Sequence, residues 1–275
     1  MESCEVAAEG SDVKIHSRPS MLYKYRNWTD EKHRRILTHD EIFFASPKSF
    51  NDPFDCRIKI RYDLMPEDEI LRHHIEHLKE THPYLRGKRR KQRAKQQARK
   101  SPWRDPDKIG KLQELMQYLI DTEFGVFSLT ENRESLIMWA HYASSHQGFC
   151  VGFDVYKLGM CMHEISRIRR VEYVREYLRV LPDYRGKEDL EIVLTTKGIQ
   201  WIHEQEWRVV LLDGTNKAIP LPEGTVKEVI LGCRMPERQK DEMVGVLRRK
   251  RERVHLMQAR KREYEFGLTF EELTY

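Results

Sequence analysis

Glu204-Gln205-Glu206-Trp207-Arg208 brings two carboxylates and a guanidinium together at alternating positions. The segment Trp201 to Leu212 reads as one long strand, whose side chains alternate between faces. Trp201, Gln205, Trp207, Val209 and Leu211 then face one way, and Ile202, Glu204, Glu206, Arg208 and Val210 the other. Two readings follow. On a wet face the charges form a cross-strand ion-pair ladder, worth at most about 1 kcal/mol per pair. Aimed into a cleft, the carboxylates stabilise a developing cation or hold a metal. A second feature is Phe127-Ser128-Leu129-Thr130-Glu131, which places the hydroxyls of Ser128 and Thr130 on one strand face or at its exit. Thr130 or Asn132 also suits the N-cap of a helix starting near Leu136, which accounts for one hydroxyl and not both. His141 and Tyr142 lie on that helix, off the apolar stripe formed by Leu136, Trp139, Ala140 and Ala143. His141 is either a structural histidine or a general acid or base.

The elements that would position these groups alternate without a regular βαβ rhythm. Met21 to Arg26 alternates as a strand does, Thr29 or Asp30 caps a short helix through Ile36, and Glu41 to Ala45 reads as a second strand. Ser46 to Pro53 is a dense turn signal. From about Pro66 to Asp121 helical periods dominate, over Glu67 to Leu78 and Ile109 to Ile120. Strands return at Gly125 to Leu129, Phe149 to Phe153, Val171 to Val174, Val226 to Leu231 and twice between Val254 and Phe270. Leu190 to Lys197 and Pro236 to Leu247 read as helices. Neither a G-x-G-x-x-G fingerprint nor a P-loop occurs. The expected fold is α+β with a mixed or antiparallel sheet core. Residues 1–20 are expected as a flexible tail, and 21–275 as a single domain with a helical, basic insertion at about 66–121.

The chain has 275 residues, a net charge of +5, 34% charged and 39% hydrophobic residues, and a mean hydropathy of −0.73. Arg86 to Arg104 holds ten Lys or Arg residues and no acid, so subtracting those ten from +5 leaves −5 on the rest. The basic segment, including Arg89, Arg90, Lys91, Arg93 and Lys95, reads either as a solvated insertion or as an arm that tracks the phosphates of a nucleic acid. A second basic run, Arg248 to Arg253, reads as the polar end of a helix. No stretch approaches the ~18–20 apolar residues of a membrane span, and the N-terminus is acidic and polar. A cytoplasmic location without membrane contact is expected. Cys4, Cys56, Cys150, Cys161 and Cys233 are odd in number and form no C-x-x-C pair, against a disulfide framework or a zinc knuckle.

Several segments together resemble a large prokaryotic family known as domain of unknown function 2971. They are Leu22-Tyr23-Lys24-Tyr25, Phe50 to Asp55, Phe127 to Thr130, Met138 to Ala143, Gly148 to Asp154 and Glu204 to Arg208. The resemblance spans roughly Met21 to Leu273 and leaves out the basic insertion. The family name implies no activity.

A second resemblance implies one. ADP-ribosyltransferases of the arginine, serine, glutamate type carry an Arg at the end of an early strand, then Ser-x-Ser or Ser-x-Thr, then Glu-x-Glu. Arg26, Ser128-Leu129-Thr130 and Glu204-Gln205-Glu206 follow in that order, with looser spacing between the first two. Lys24 stands where the histidine-tyrosine type would have His. The resemblance implies NAD as substrate, Glu206 stabilising the ribosyl cation, and Glu204 orienting or deprotonating the acceptor. Arg26, with Tyr25 beside it, would bind the pyrophosphate; Ser128, with Thr130, would hold the nicotinamide ribose or amide; His141 is a further candidate. An effector in bacterial defence, with a regulatory protein partner left open, is the matching role. The rival expectation is a metal-dependent nuclease or nucleic-acid-binding protein using Asp52, Asp55, Glu204, Glu206 and His141 around magnesium or manganese. A third is a scaffold in which Glu206 and Arg208 merely pair.

Overall fold

The computed structural model describes residues 18–57, 59–160, 167–177 and 188–275. In chain order the elements begin with β1 (Met21–Arg26), α1 (Glu31–Thr38) and β2 (Glu41–Phe44). Asp30 caps α1 by accepting from the amides of Lys32 and His33, as its position before the helix predicts. Three helices follow, α2 (Glu67–Thr81), α3 (Gly87–Arg99) and α4 (Pro106–Glu123), the last capped by Asp105 with Pro106 at its first position. Then come β3 (Phe124–Thr130), α5 (Leu136–Tyr142), β4 (Phe149–Asp154), α6 (Val155–Met160), β5 (Arg167–Arg170) and β6 (Glu172–Val174). The chain continues through α7 (Glu188–Leu194), β7 (Thr196–Gly198), β8 (Glu206–Leu212), β9 (Lys217–Pro220) and β10 (Val226–Leu231). It ends with α8 (Glu237–Leu247), β11 (His255–Lys261) and β12 (Leu268–Glu272).

An eight-stranded sheet in the order β12-β11-β10-β4-β1-β3-β8-β5 forms the centre. Its neighbours run antiparallel except β10 and β11, so the sheet is mixed and the fold α+β, as the irregular alternation of elements implies. One face buries Phe127, Phe149, Phe153, Trp207 and Val209 under α1 and α8, each ring worth about 1.5–3 kcal/mol relative to exposure. The other face carries two clusters. Tyr25, Trp139, Cys150 and Ile230 gather beneath α5, while Val126, Val210 and Leu194 join Ile70, Ala98, Trp103 and Ile120 of the helical segment.

The register shifts between Val226 and Glu228 where β10 meets β4, and it breaks between β1 and β3. β1 pairs with β4 over six positions, Met21 opposite Asp154 through Arg26 opposite Phe149. β3 pairs with β8 over seven. Between β1 and β3 only Tyr23 and Thr130 pair, so the strands part beyond that point. Lys24 reaches across the gap and donates to the Ser128 carbonyl, which an intact ladder would have satisfied from the backbone.

Trp201 to Leu212 is not one strand. Ile199–Glu204 is a 3-10 helix, Gln205 turns the chain at φ 44°, and β8 starts only at Glu206. The alternation assumed for Glu204 therefore does not hold, while that of Glu206, Arg208 and Val210 does. Lys197 leaves the expected helix and lies in β7, because α7 ends at Leu194. Ser135, not Thr130 or Asn132, caps α5. The basic segment forms α3, and its inward stripe is Ala94 and Ala98. Residues 1–17 of the expected tail, and Cys4 and Cys161, lie outside the described residues. Cys56, Cys150 and Cys233 are free thiols. Among the described residues no helix is long and apolar enough to cross a membrane.

Candidate active site

The gap between β1 and β3 opens into a cavity of about 300 Å³. Its walls include Lys24 and Arg26 from β1, Ser128 from β3, Tyr142 from α5, and Glu204 and Glu206. In an unbroken sheet, Arg26 and Lys24 would share a face with buried Leu22, and Ser128 and Glu206 would take the opposite face. Parting the strands lets both sets line one space.

Beneath that space lies a buried ion network. Arg208 has no exposed surface. Its Nη2 donates to both oxygens of Asp55 at 2.9 and 2.8 Å and to Glu206 Oε2 at 2.9 Å. Nε donates to Glu206 Oε1 at 2.8 Å, and Nη1 to the Leu194 carbonyl at 2.7 Å and to the Cys56 thiol at 3.2 Å. Lys197 adds a second cation, 2.5 Å from Glu204, 3.2 Å from Glu206 and 3.5 Å from Asp55. Three carboxylates thus share two cations, leaving one formal negative charge on this wall.

Burial opposes ionisation of Glu206, but Arg208 and Lys197, with a hydrogen bond from Ser128, hold its carboxyl down at about 2. The same carboxylates hold Lys197 above the usual lysine range against its own desolvation. Glu204 is fixed from both sides: the Tyr142 hydroxyl donates to Oε1 at 2.7 Å, and Lys197 binds Oε2. The backbone of Glu204 is pinned as well, since Thr130 Oγ1 donates to its carbonyl at 2.6 Å. Tyr173 accepts from the Glu206 amide at 2.8 Å, which fixes the first residue of β8.

On the opposite wall stand two basic side chains, Lys24 and Arg26. Burial, with Arg26 beside it, pulls the Lys24 amine well below the usual lysine range. Desolvation lowers Arg26 to about 10, still fully charged at neutral pH. Among the described residues Arg26 has no hydrogen-bonded or ion-paired side-chain partner.

The expected residues divide accordingly. Arg26, Ser128, Glu204 and Glu206 meet at the cavity. Thr130 is buried and braces Glu204 through its hydroxyl. Tyr25 also borders the cavity but packs edge-on against Trp139, 5.0 Å between centroids, with its hydroxyl on the Asn132 carbonyl. His141 is exposed and does not reach the cavity; its neighbour Tyr142 does, because α5 turns Tyr142 inward. Arg89, Arg90, Lys91, Arg93 and Lys95 all lie on α3, with Arg90 half-buried and the others exposed. Asp52 closes an Asx turn, accepting from the Phe54 amide at 2.9 Å. The metal ligands proposed from sequence do not converge on open space. Asp55, Glu204 and Glu206 surround the Lys197 ammonium instead, and no cluster of three or more metal-ligating side chains occurs among the described residues.

Most of this network lies within α5 to β8, and that stretch has relatives. Residues 138–209 match the DUF2971 family model. The DUF2971 family is described as proteins of unknown function, and the match supports the resemblance carried by Trp139 to Tyr142 and Glu206 to Arg208. It covers about a quarter of the chain, taking in Tyr142, Lys197, Glu204, Glu206 and Arg208, while Arg26, Asp55 and Ser128 lie outside it. No curated protein and no solved structure matches the chain.

Proposed function

We propose that the cavity between β1 and β3 binds NAD, cleaves its nicotinamide–ribose bond and transfers the ADP-ribosyl group to an acceptor. The observation that carries this reading is the polarity of a single cavity, cationic at Arg26, with the Lys24 amine beside it, and anionic at Glu204 and Glu206. NAD has matching polarity, with a pyrophosphate at its middle and a positive charge that develops on the ribose as nicotinamide leaves. The volume, about 300 Å³, is at the lower end of ligand sites and is open to solvent.

In this reading each group has one task. Arg26, charged and without a hydrogen-bonded or ion-paired side-chain partner among the described residues, binds pyrophosphate oxygens bidentately. An anion there also offsets the desolvation of Lys24. Glu206 is ionised at every working pH and cannot reorient, so it needs no reorganisation when the ribosyl cation forms. Ser128 beside it holds the ribose or the amide. As the ribose–nitrogen bond breaks, the electron pair leaves with nicotinamide, and the acceptor attacks the exposed carbon. Glu204, polarised by Tyr142 and Lys197, orients that acceptor and receives its proton.

The nuclease reading has less support, since a lysine ammonium stands at the convergence of its three carboxylates. Nicotinamide release from NAD is measured for wild type, Glu206→Gln and Arg26→Ala, with and without EDTA. Release that ignores EDTA and falls at least a hundredfold in both folded variants is expected. Arg26→Ala is the safer variant, because among the described residues the Arg26 side chain makes no hydrogen bond or ion pair for it to break. Release unchanged in both folded variants, or none from wild type, overturns the reading; metal-dependent nucleic-acid cleavage in its place would favour the nuclease.

A further inference from the structure

The ten cations of Arg86 to Arg104 take no part in the cavity, and α3 displays most of them in an ordered way. Ala94 and Ala98 are its buried residues, and Ala98 joins the cluster that holds Ile70 and Trp103 of the helical segment. At 3.6 residues per turn, Gln92 and Gln96 lie on the side opposite these alanines. Both glutamines are exposed. Lys88, Lys95 and Arg99 run down one flank of that glutamine ridge, and Arg89, Arg93 and Lys100 down the other. All six are exposed, and none has an ion-pair partner among the described residues. By contrast, Arg104 just beyond the helix pairs with Glu67 at 3.0 Å.

This arrangement costs the helix stability. Arg89 with Arg93 and Lys95 with Arg99 are like charges one turn apart, each pair unfavourable by about 0.2–0.5 kcal/mol. No ion pair among the described residues relieves it, whereas an external polyanion would. We propose that α3 is a docking surface for double-stranded DNA and seats in its major groove. The two cation rows then meet the two phosphate backbones, and Gln92 and Gln96 face the base edges. The dimensions agree. An α-helix with side chains is about 10–12 Å across and the B-form major groove about 12 Å wide. Amide side chains are also the type that pairs bidentately with adenine in that groove. The deep, narrow major groove of A-form RNA would not admit the helix. An anionic membrane fits less well, because interfacial helices bury an apolar face in the lipid and the apolar residues of α3 are two alanines already buried in the protein. The proposal is independent of the NAD reading.

The test is fluorescence anisotropy of the full chain with a 20-base-pair DNA duplex between 50 and 200 mM salt. Parallel arms use the RNA duplex of the same sequence, the single strand, and phosphatidylserine vesicles. Six phosphate contacts predict a log–log salt slope of about −5 and a roughly thousandfold loss of affinity across that range. The variant R89Q/R93Q/K95Q/R99Q keeps good helix formers, so its circular dichroism is expected to match wild type, and its slope should shrink to about −2. DNA duplex binding at least tenfold tighter than in the other three arms is expected. Equal or tighter binding to RNA, single strand or vesicles, or a slope unchanged in the folded variant, overturns the proposal.

Discussion

Arg208 is the side chain on which the candidate site depends, since it bonds Asp55, Glu206 and the end of α7 together. Removing it leaves three buried carboxylates, Asp55, Glu204 and Glu206, sharing the single Lys197 ammonium. Arg208→Met is expected to lose about 3–5 kcal/mol in urea unfolding, the usual result of breaking a buried ion pair from one side. Arg208→Lys should recover only part of that loss, because an ammonium cannot span Asp55 and Glu206 as the guanidinium fork does. The acid limb of stability tests the same network. Glu206 is held at about 2 in the fold, below its ordinary 4.5, so the unfolded chain binds the extra proton. Its contribution is full above about pH 4.5 and is lost as pH falls toward 2. A stability profile over that window should rise with pH in wild type and rise less steeply, by one proton's worth, in Glu206→Gln. Equal slopes would mean that Glu206 is not held ionised by its neighbours.

Two backbone positions set where the elements place these side chains. A Cβ on Gly148 would lie 2.1 Å from the Arg26 carbonyl and 3.0 Å from Ala143. Gly148→Ala must therefore push the end of β1 outward, with an expected cost of about 1–3 kcal/mol and a weakened hold on any anion at Arg26. Gln205, at φ 44°, is the hinge that brings Glu204 and Glu206 to one ammonium. Gln205→Gly should be tolerated within about 1 kcal/mol, whereas the β-branched Gln205→Val should destabilise clearly more, a contrast that thermal unfolding reads directly. The same hinge marks the limit of what the sequence discloses. Helix caps, the apolar strands and the alternation of Glu206, Arg208 and Val210 are local properties and could be read off. The run Trp201 to Glu206 has two apolar residues followed by four polar ones, which fits a 3-10 turn as well as the start of a strand, and nothing local distinguishes the two. Lys197 is hidden for a related reason: it follows α7 closely enough to extend its period, and only the folding of Glu204, Glu206 and Asp55 around its ammonium makes it part of the site. Tyr142 was visible beside His141, but choosing between them needs the direction in which α5 packs on the sheet.

At the scale of the molecule, positive charge and the polar cavity are carried by different parts of the chain. Without Arg86 to Arg104 the protein is acidic, so the net positive charge is a property of one segment rather than of the whole chain. That segment is joined to the sheet through the cluster of Ala98, Ile70, Trp103, Ile120 and Val126, which ends at β3, the strand carrying Ser128. The packing fixes the helical segment against the cavity wall, yet none of the exposed α3 cations lines the cavity. The two features should therefore separate in experiment. On free NAD, R89Q/R93Q/K95Q/R99Q is expected to release nicotinamide within about twofold of the wild-type rate while losing most of its salt-dependent affinity for duplex DNA. Arg26→Ala should do the reverse, losing release and keeping the salt slope near −5. If both variants lose both properties while remaining folded, the cavity and α3 form one binding surface, and the division of charge along the chain has a structural rather than a functional origin.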